Sequence, residues 1–299
     1  MTIKNLLNPV KTAFFLAISV ATMAFMPHFA PTPEGIGTGQ YNTDNAPNAK
    51  PVTCISVENN AFQSGEELTY KIYYNLNFVW IPAGEVTFNV SESGNQYHFS
   101  AEGQTYSSYE WFYKAYNKFD SYVDKTTFLP QTSTRWVKEN RYKLFDKVEY
   151  DHKNRIANFE RGDVKEVVLL RGTKKLDDCI HDMLSAIYYS RTIDYSQAKV
   201  GQEFPMKVFL DEETYALKYR FLGNEDKSIR GIGKYSTIKL SPQVVAGNVF
   251  SENSQMKVWA SNDANRLPLM IESPVSVGSV KGVLKSYKGL KYALSSKKE

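Results

Sequence analysis

Gly84-Glu-Val-Thr-Phe-Asn-Val90 and Gln96-Tyr-His-Phe-Ser-Ala101 alternate apolar and polar residues. Alternation with a period of two is typical of β-strands that bury one face and expose the other. Between the two stretches, Ser93-Gly94-Asn95 has the composition of a tight turn. This part of the sequence therefore predicts an antiparallel β-hairpin.

The same alternation recurs along most of the chain, with turn residues between the repeats. We expect further strands at residues 67–74, 117–124, 131–138, 144–151, 155–160, 164–170, 203–210, 213–222, 232–240, 255–260, 267–273 and 278–284. Many short strands at regular spacing favour an antiparallel sheet that curls or closes. The predicted fold is mostly β, a single domain of curved antiparallel sheet or open β-barrel spanning residues 54–290.

Two segments are predicted to form helices packed on this sheet. The first, 177–191, has an apolar stripe at helical spacing made by Leu176, Ile180, Met183, Leu184, Ile187 and Tyr188. Aspartates at its start and Arg191 at its end match the helix dipole. The second, 107–116, is indicated by tyrosines that recur every three or four positions, although aromatic residues also suit strands.

The N-terminus has the pattern of an export signal. Lys4 and Lys11 precede an apolar run over residues 12–26, which is shorter than the ~20 residues of a standard spanning helix. Residues 1–29 are therefore predicted to be a signal peptide or, because the cleavage site is poor, an uncleaved N-terminal anchor. Residues 30–53, rich in Pro, Gly and Asn, predict a disordered linker, and residues 291–299 predict a solvated tail.

The chain has two cysteines, Cys54 and Cys179. Disulfides persist outside the cytoplasm, so the export signal favours a bridge between them, and two separately buried thiols are the alternative. The sequence has no Cys-x-x-Cys spacing, and beyond the signal only His98, His152 and His181 remain. We therefore expect no metal site and no cofactor.

Charge and motifs exclude several classes of function. The formal net charge is +4, and Lys4 and Lys11 of the signal contribute two of these charges. A near-neutral body lacks the clustered basic face of a nucleic-acid-binding protein. The sequence contains no Gly-x-Ser-x-Gly, Walker or His-Glu-x-x-His motif. We expect no nucleic-acid partner, no spanning domain beyond an N-terminal anchor, and a non-catalytic protein.

One polar constellation lies on the predicted helix 177–191. Asp178, His181 and Asp182 share one side of a helix, because residues three and four positions apart are neighbours there. A carboxylate beside an imidazole can orient a general base. The structural alternative is favoured: Asp178 caps the helix, a carboxylate holds His181, and Asp182 pairs with a cation across the sheet.

A second constellation is Asp120-Ser-Tyr-Val-Asp124, where alternation places Asp120, Tyr122 and Asp124 on one face of a strand. The two carboxylates are then ~13 Å apart along the strand, too far for a glycosidase pair acting alone. A solvated face, or pairing with Arg135 or Arg141, is favoured. Asp120 nevertheless joins Asp178, His181 and Asp182 as the candidate polar cluster.

The aromatic content, 14% of residues, is unusually high. In a curved sheet such side chains either fill the interior or line a cavity for an apolar ligand. The core interpretation is favoured, and the cavity interpretation gives the candidate ligand-binding residues Trp80, Trp111, Tyr113, Trp136 and Trp259.

Several blocks of sequence carry a family resemblance. They are Phe62-x-x-Gly65-Glu66-x-Leu68-x-Tyr70, Ile81-Pro-Ala-Gly-Glu85, Asp120-Ser-Tyr-Val-Asp124, the segment 178–191, and Val258-Trp259-x-Ser261-x-Asp263. In this order they resemble the exported bacterial family called domain of unknown function 3108. The resemblance implies a curved antiparallel sheet or open barrel with a packed helix, in the periplasm or outer envelope of a Gram-negative bacterium. It implies no activity.

Three functions remain open from the sequence. The leading hypothesis is a non-catalytic envelope protein that binds an apolar or amphipathic ligand, a lipid or a lipidated protein, in the curved sheet. The second is a scaffold or assembly partner of other envelope proteins, using an exposed sheet edge. The third and weakest is a glycan or peptidoglycan hydrolase acting through Asp178, His181 or Asp120.

Overall fold

The computed structural model describes residues 56–76, 79–111, 113–176, 179–243, 255–275 and 278–298. The predicted signal segment, the predicted linker, Cys54 and Asp178 lie outside these residues. The bridge between Cys54 and Cys179 therefore stays a prediction.

The described chain is dominated by β-strands that follow one another with short connections. They are β1 (Glu67–Leu76), β2 (Val79–Ser93), β3 (Gln96–Thr105), β4 (Ala115–Asp124), β5 (Pro130–Glu139), β6 (Tyr142–Asp151), β7 (Ile156–Val164), β8 (Val167–Lys175), β9 (Glu203–Leu210), β10 (Glu213–Ile229), β11 (Gly233–Pro242), β12 (Lys257–Ser261), β13 (Pro268–Pro274), β14 (Ser279–Lys288) and β15 (Lys297–Lys298).

All fifteen strands belong to one antiparallel sheet. Its order is β8-β7-β6-β5-β4-β3-β2-β1-β14-β13-β12-β11-β10-β9, with β15 added beside β11. Neighbours in the sheet are thus neighbours in the chain, except at the central joint between β1 and β14 and where β15 pairs with β11. The path ends at β8 and β9, so the sheet is not closed into a barrel. The prediction of a mostly β fold with a curved antiparallel sheet is confirmed.

Two tight turns of the sheet differ in what holds them. The β2–β3 hairpin pairs Ser93 with Gln96, and Gly94 takes φ 54°, a left-handed conformation that glycine adopts without a Cβ clash. The β9–β10 hairpin pairs Leu210 with Glu213, but its two turn residues are Asp211 and Glu212, with φ 48° and 64°. Non-glycine residues in this region are strained, so other contacts must hold the second turn.

A single α-helix, α1, is described, spanning Met183–Thr192 between β8 and β9. Asp182 is its N-cap: the carboxylate accepts from Ser185 N, and Ser185 Oγ accepts from Asp182 N, a capping box. The predicted helix at 177–191 is thus confirmed in its C-terminal part, while its predicted start is wrong. Residue 181 is extended and bridges to Val208 of β9 instead.

The predicted second helix at 107–116 is wrong. In the described part of this segment the chain forms a 3-10 turn, Ser107–Tyr109, and then enters β4 at Ala115. Of the tyrosines behind this prediction, Tyr109 lies in the 3-10 turn, Tyr113 is buried in the connection, and Tyr116 alone belongs to β4.

Helix α1 lies against the sheet and shares one large hydrophobic core with it. Tyr188 stacks on Phe99 of β3 at 4.0 Å between ring centroids, and Phe62 meets Tyr188 edge-on at 5.0 Å. Residues of β1, β2 and β10–β14 also lie beside the helix. Strands from both halves of the chain therefore surround α1.

The C-terminal residues differ from the predicted solvated tail. Lys297 and Lys298 pair with Tyr235 and Lys234 of β11, and Ser296 is buried. The backbone pairing, which a lysine-rich sequence does not reveal, keeps this segment on the sheet.

Candidate binding groove

An apolar groove lies between α1 and the surrounding strands, with a cavity of about 100 Å³. Its lining is almost entirely hydrophobic or aromatic and comes from the strands, α1 and the chain that enters β12. The lining residues are Leu68, Tyr70, Phe88, Met183, Ile187, Tyr188, Ser190, Arg191, Tyr219, Leu240, Pro242, Met256, Val258, Pro268, Ile271 and Gly282. Concave apolar sites with few polar groups are the usual form of a small-molecule site.

Two tyrosines of the groove direct their hydroxyls to backbone carbonyls. Tyr70 Oη donates to Pro268 O at 2.8 Å, and Tyr219 Oη donates to Ala186 O at 3.4 Å. Burial raises the pKa of Tyr219 to about 12, so this phenol stays protonated. These bonds hold the groove walls, because they connect β1 to β13 and β10 to α1.

Arg191 forms the polar end of the groove, and its charge is neutralised. Its Nη1 and Nη2 donate to Oε1 and Oε2 of Glu66 at 2.5 and 2.9 Å. The same guanidinium donates to the backbone oxygens of Asn265 and Ala61. Both side chains are buried, which makes this a desolvated bidentate pair. A ligand in the groove therefore meets an ion pair that already has its partners.

Tyr188 is different, because its buried hydroxyl has no hydrogen-bond partner among the residues that the structure describes. The residue is 1% exposed and stands at the groove beside Tyr70 and the Glu66–Arg191 pair. Burial raises the pKa of Tyr188 well above its usual range. Tyr188 thus lines the groove, but its neutral hydroxyl is shielded from solvent.

Among the described members of the predicted polar cluster, His181 and Asp182 lie together at the N-terminal end of α1. Asp182 is buried and accepts from Ser121 Oγ of β4 and from Ser185 N. Burial raises its pKa to about 6. Beside it, burial and, to a smaller extent, the nearby His152 lower the pKa of His181 to about 3.

Asp120 lies away from these two residues. Consecutive strand residues face opposite sides, so Ser121 points to Asp182 while Asp120 points outward. There Asp120 accepts from His98 Nε2 at 2.8 Å, and His98 stacks on Tyr122 at 4.4 Å. The predicted common face of Asp120, Tyr122 and Asp124 is confirmed, but its partner is His98, neither Arg135 nor Arg141. The predicted helical face of Asp178, His181 and Asp182 is wrong, because α1 begins only at Met183.

Arg135 belongs instead to a second ion-pair cluster that sequence reasoning missed. It donates from Nε to Asp146 at 2.9 Å and from Nη2 to Asp211 at 2.6 Å. Arg161 donates to the same Asp211 at 2.9 Å and to Glu212 at 2.9 Å. Both strained residues of the β9–β10 turn are therefore held by arginines of β5 and β7. The cluster thus links the β9–β10 turn, at one end of the strand order, to β5 and β7 within that order.

None of the five predicted aromatic ligand-binding residues lines the groove. Trp111 is 82% exposed and Trp136 is 46% exposed. Trp80 lies under Lys281 Nζ at 3.9 Å, and Trp259 Nε1 donates to Glu225 at 2.6 Å. Tyr113 is buried and donates to Glu139 at 2.7 Å. The sequence feature that does point to the groove is the apolar stripe of α1, because its residues Met183, Ile187 and Tyr188 line the groove.

The described residues contain no cluster of three or more side chains suited to a metal ion. Among the helices described, none is both long and apolar enough to cross a membrane.

Comparison with known proteins gives a family and a fold. The model of the family "Protein of unknown function (DUF3108)" matches residues 69–285. No curated protein matches the sequence. A beta-barrel-like protein of domain of unknown function DUF1849 from Brucella abortus is 8% identical, with a TM-score of 0.49 over 79% of this chain and 98% of that chain. A protein with a YmcC-like fold from Bacteroides fragilis is 9% identical, with a TM-score of 0.32 over 79% and 100%.

Proposed function

The chain belongs to the DUF3108 family of proteins of unknown function, and from that premise we propose that it is an exported, non-catalytic protein of the cell envelope that binds an apolar chain. The binding site is the groove between α1 and the sheet. The observation that carries the proposal is the groove's lining, in which Arg191 is the one charged side chain and is already paired with Glu66.

The size of the cavity limits what it holds. A cavity of about 150 Å³ in another protein is known to hold a benzene ring, so about 100 Å³ holds a few carbon atoms. In this proposal the end of an acyl chain enters beside α1, and the rest lies along the half-buried rim formed by Ile187, Val258 and Ile271.

Blocking the groove tests the proposal. Ile187→Trp fills the space beside α1 and should abolish binding of apolar probes, whereas Leu169→Trp changes a residue that is 68% exposed on β8 and should leave binding intact. The measurement is lipid extraction and mass spectrometry of each variant purified from the native host. Equal lipid content in wild type and Ile187→Trp, or no lipid in any of the three, would contradict the proposal.

The envelope location rests on the N-terminal sequence, where Lys4 and Lys11 precede an apolar run. Fractionation of the native host should place the protein in the periplasm or outer envelope. N-terminal sequencing of the purified protein then distinguishes a cleaved signal from a retained anchor. Recovery only from the cytoplasm would refute this part of the proposal.

A scaffold is the second candidate function, and strand β8 is the feature that favours it. Among the described residues β8 pairs only with β7, and its Val167, Leu169 and Leu170 are exposed. An unpaired edge with apolar side chains can accept an extended segment of another envelope protein as an added strand. A photo-crosslinking residue at Leu169 should then capture one dominant protein in cells, while the same residue at the exposed Val200 should not.

A further inference from the structure

A second concave site lies on the side of β4 and β5 that points away from α1, and its volume is about 210 Å³. This outer depression is lined by the side chains of Tyr116 on β4, Trp136 and Lys138 on β5, Lys143 on β6, and Asp163 and Val164 on β7. A cavity of about 150 Å³ in another protein is known to hold a benzene ring. The outer depression therefore has room for one six-membered ring with its substituents.

Exposed aromatic rings give the outer depression an apolar surface. Trp136 is 46% exposed and Tyr116 is 37% exposed. Lysines lie over the rings of Trp80 and Trp259, but among the described residues no cation lies over the ring of Trp136. The face of an indole ring is electron-rich, and the C–H groups on one face of a sugar ring are positively polarised, so the two stack. The open face of Trp136 can receive such a ring.

Two lysines give the outer depression positive charge. Lys138 and Lys143 are directly opposite each other in the β5–β6 pairing, an arrangement in which like charges repel. Among the described residues neither lysine has an ion pair. Three other cations on this face of the sheet do have one: Lys118 pairs with Asp120, Lys147 with Glu149, and Arg171 with Glu160. An external anion would therefore find two lysines here without a carboxylate partner.

We propose that the outer depression binds an acidic sugar, with the ring against Trp136 and the carboxylate held by Lys138 and Lys143. Charge-assisted hydrogen bonds from the two ammonium groups fix the anion. Asp163 on the β7 side of the outer depression accepts hydrogen bonds from the hydroxyls of the ring. A neutral sugar lacks the charge, and an anion without a ring lacks the apolar face. The site is separate from the groove beside α1, so this inference does not rest on the proposed function.

The experiment compares three probes by titration calorimetry at low salt: trigalacturonate, its fully methyl-esterified form, and the peptide triglutamate. Wild type should bind trigalacturonate about tenfold more tightly than either of the others. The ester keeps the rings without the charge, and triglutamate keeps the charge without the rings. Added salt should weaken the binding of trigalacturonate, because the lysines are exposed. Equal affinity for the ester or for triglutamate overturns the inference, and so does failure of wild type to bind trigalacturonate.

Variants then place the binding in the outer depression. Trp136→Ala should weaken trigalacturonate about threefold to tenfold, and the double variant Lys138→Gln/Lys143→Gln about tenfold. The matched control is Lys147→Gln, which changes a lysine of the same face that is paired with Glu149 and should leave the affinity unchanged. Unchanged affinity in Trp136→Ala or in the double variant overturns the inference.

Thermal unfolding without ligand separates binding from a structural role of the lysines. The double variant Lys138→Gln/Lys143→Gln removes two opposed like charges and should not lower Tm. A lowered Tm would assign these lysines to the stability of the sheet and would overturn the inference. Ile187→Trp, which blocks the groove, should bind trigalacturonate as wild type does, so this inference and the proposed function fail independently of each other.

Discussion

The two ends of α1 are both anchored to the sheet by buried ionisable groups, but in different ways. At the C-terminal end, Arg191 meets Glu66 in a bidentate ion pair. At the N-terminal end, Asp182 meets hydroxyl and amide donors of Ser121 and Ser185 and takes part in no ion pair among the described residues. Burial alone would lower the pKa of the Arg191 guanidinium, but the Glu66 carboxylate raises it above its usual value. A buried carboxyl without a cation has its pKa raised, so the N-terminal anchor responds to pH near 6.

The largest expected effect comes from breaking the Glu66–Arg191 ion pair at the C-terminal end of α1. Arg191→Met leaves the Glu66 carboxylate buried without a counterion, which should lower the free energy of unfolding by about 3–5 kcal/mol. Urea unfolding at pH 7 measures this loss. The double variant Glu66→Leu/Arg191→Met removes both charges and should recover part of it. If the losses of Arg191→Met and Glu66→Leu measured singly simply add up in the double variant, the two residues are not coupled.

The second effect concerns His181 at the unpaired end. Its pKa is lowered from 6.5 to about 3, so the folded state favours the neutral imidazole. This preference stabilises the folded state above pH 6.5, and the stabilisation is lost as pH falls toward the folded-state pKa. Between pH 7 and pH 5 wild type should therefore lose about 2 kcal/mol relative to His181→Gln. Urea unfolding at both pH values measures the difference, and parallel pH dependences would contradict it.

Asp182 should give a somewhat smaller effect of opposite sign. Its pKa is raised from 3.8 to about 6, so its contribution is greatest at low pH and is lost as pH rises through 6. Between pH 7 and pH 5 wild type should gain about 1–2 kcal/mol relative to Asp182→Asn, which keeps a side-chain acceptor for Ser185 N. The double variant His181→Gln/Asp182→Asn is the control, since it removes both titrations and leaves the pH dependence of the rest of the protein, including His152, whose pKa burial also lowers.

The smallest effect should come from a surface ion pair with the same chemistry as the buried one. Arg220 donates to Glu203 at 2.6 Å on the exposed side of β9 and β10. Solvent screens this contact, so Arg220→Ala should leave the urea midpoint unchanged. A loss comparable to that of Arg191→Met would mean that burial does not set the strength of these pairs.

The sheet could be predicted from sequence because its cause is local. Alternation between Gly84 and Ala101 and the turn at Gly94 define the β2–β3 hairpin without any distant contact. The apolar stripe of α1 can likewise be recognised from the sequence alone. The start of α1 was missed although its signal was present, because Asp182 followed by Ser185 is a capping pattern that the preceding aspartates obscured.

The groove could not be predicted, because its parts are distant in the chain. Glu66 and Arg191 meet only after the sheet has brought β1 beside α1, and neither position is distinctive alone. The same holds for Arg135 and Asp211. Trp111 and Trp136 are large aromatic residues, yet size does not determine the side of the sheet on which a residue lies. The Tyr188 hydroxyl is recognised only from what surrounds it.

The joint between β1 and β14 has a consequence for the order of events during folding. One edge of β1 pairs with β2, the next strand made, but the other edge pairs with a strand that ends at Lys288. During folding, β1 therefore stays half-paired until the sequence-distant strand β14 joins it. Closing so long a loop is slow, and an open strand edge invites incorrect pairing meanwhile. The central seam of the finished sheet is thus the step at which a kinetic bottleneck and aggregation are expected.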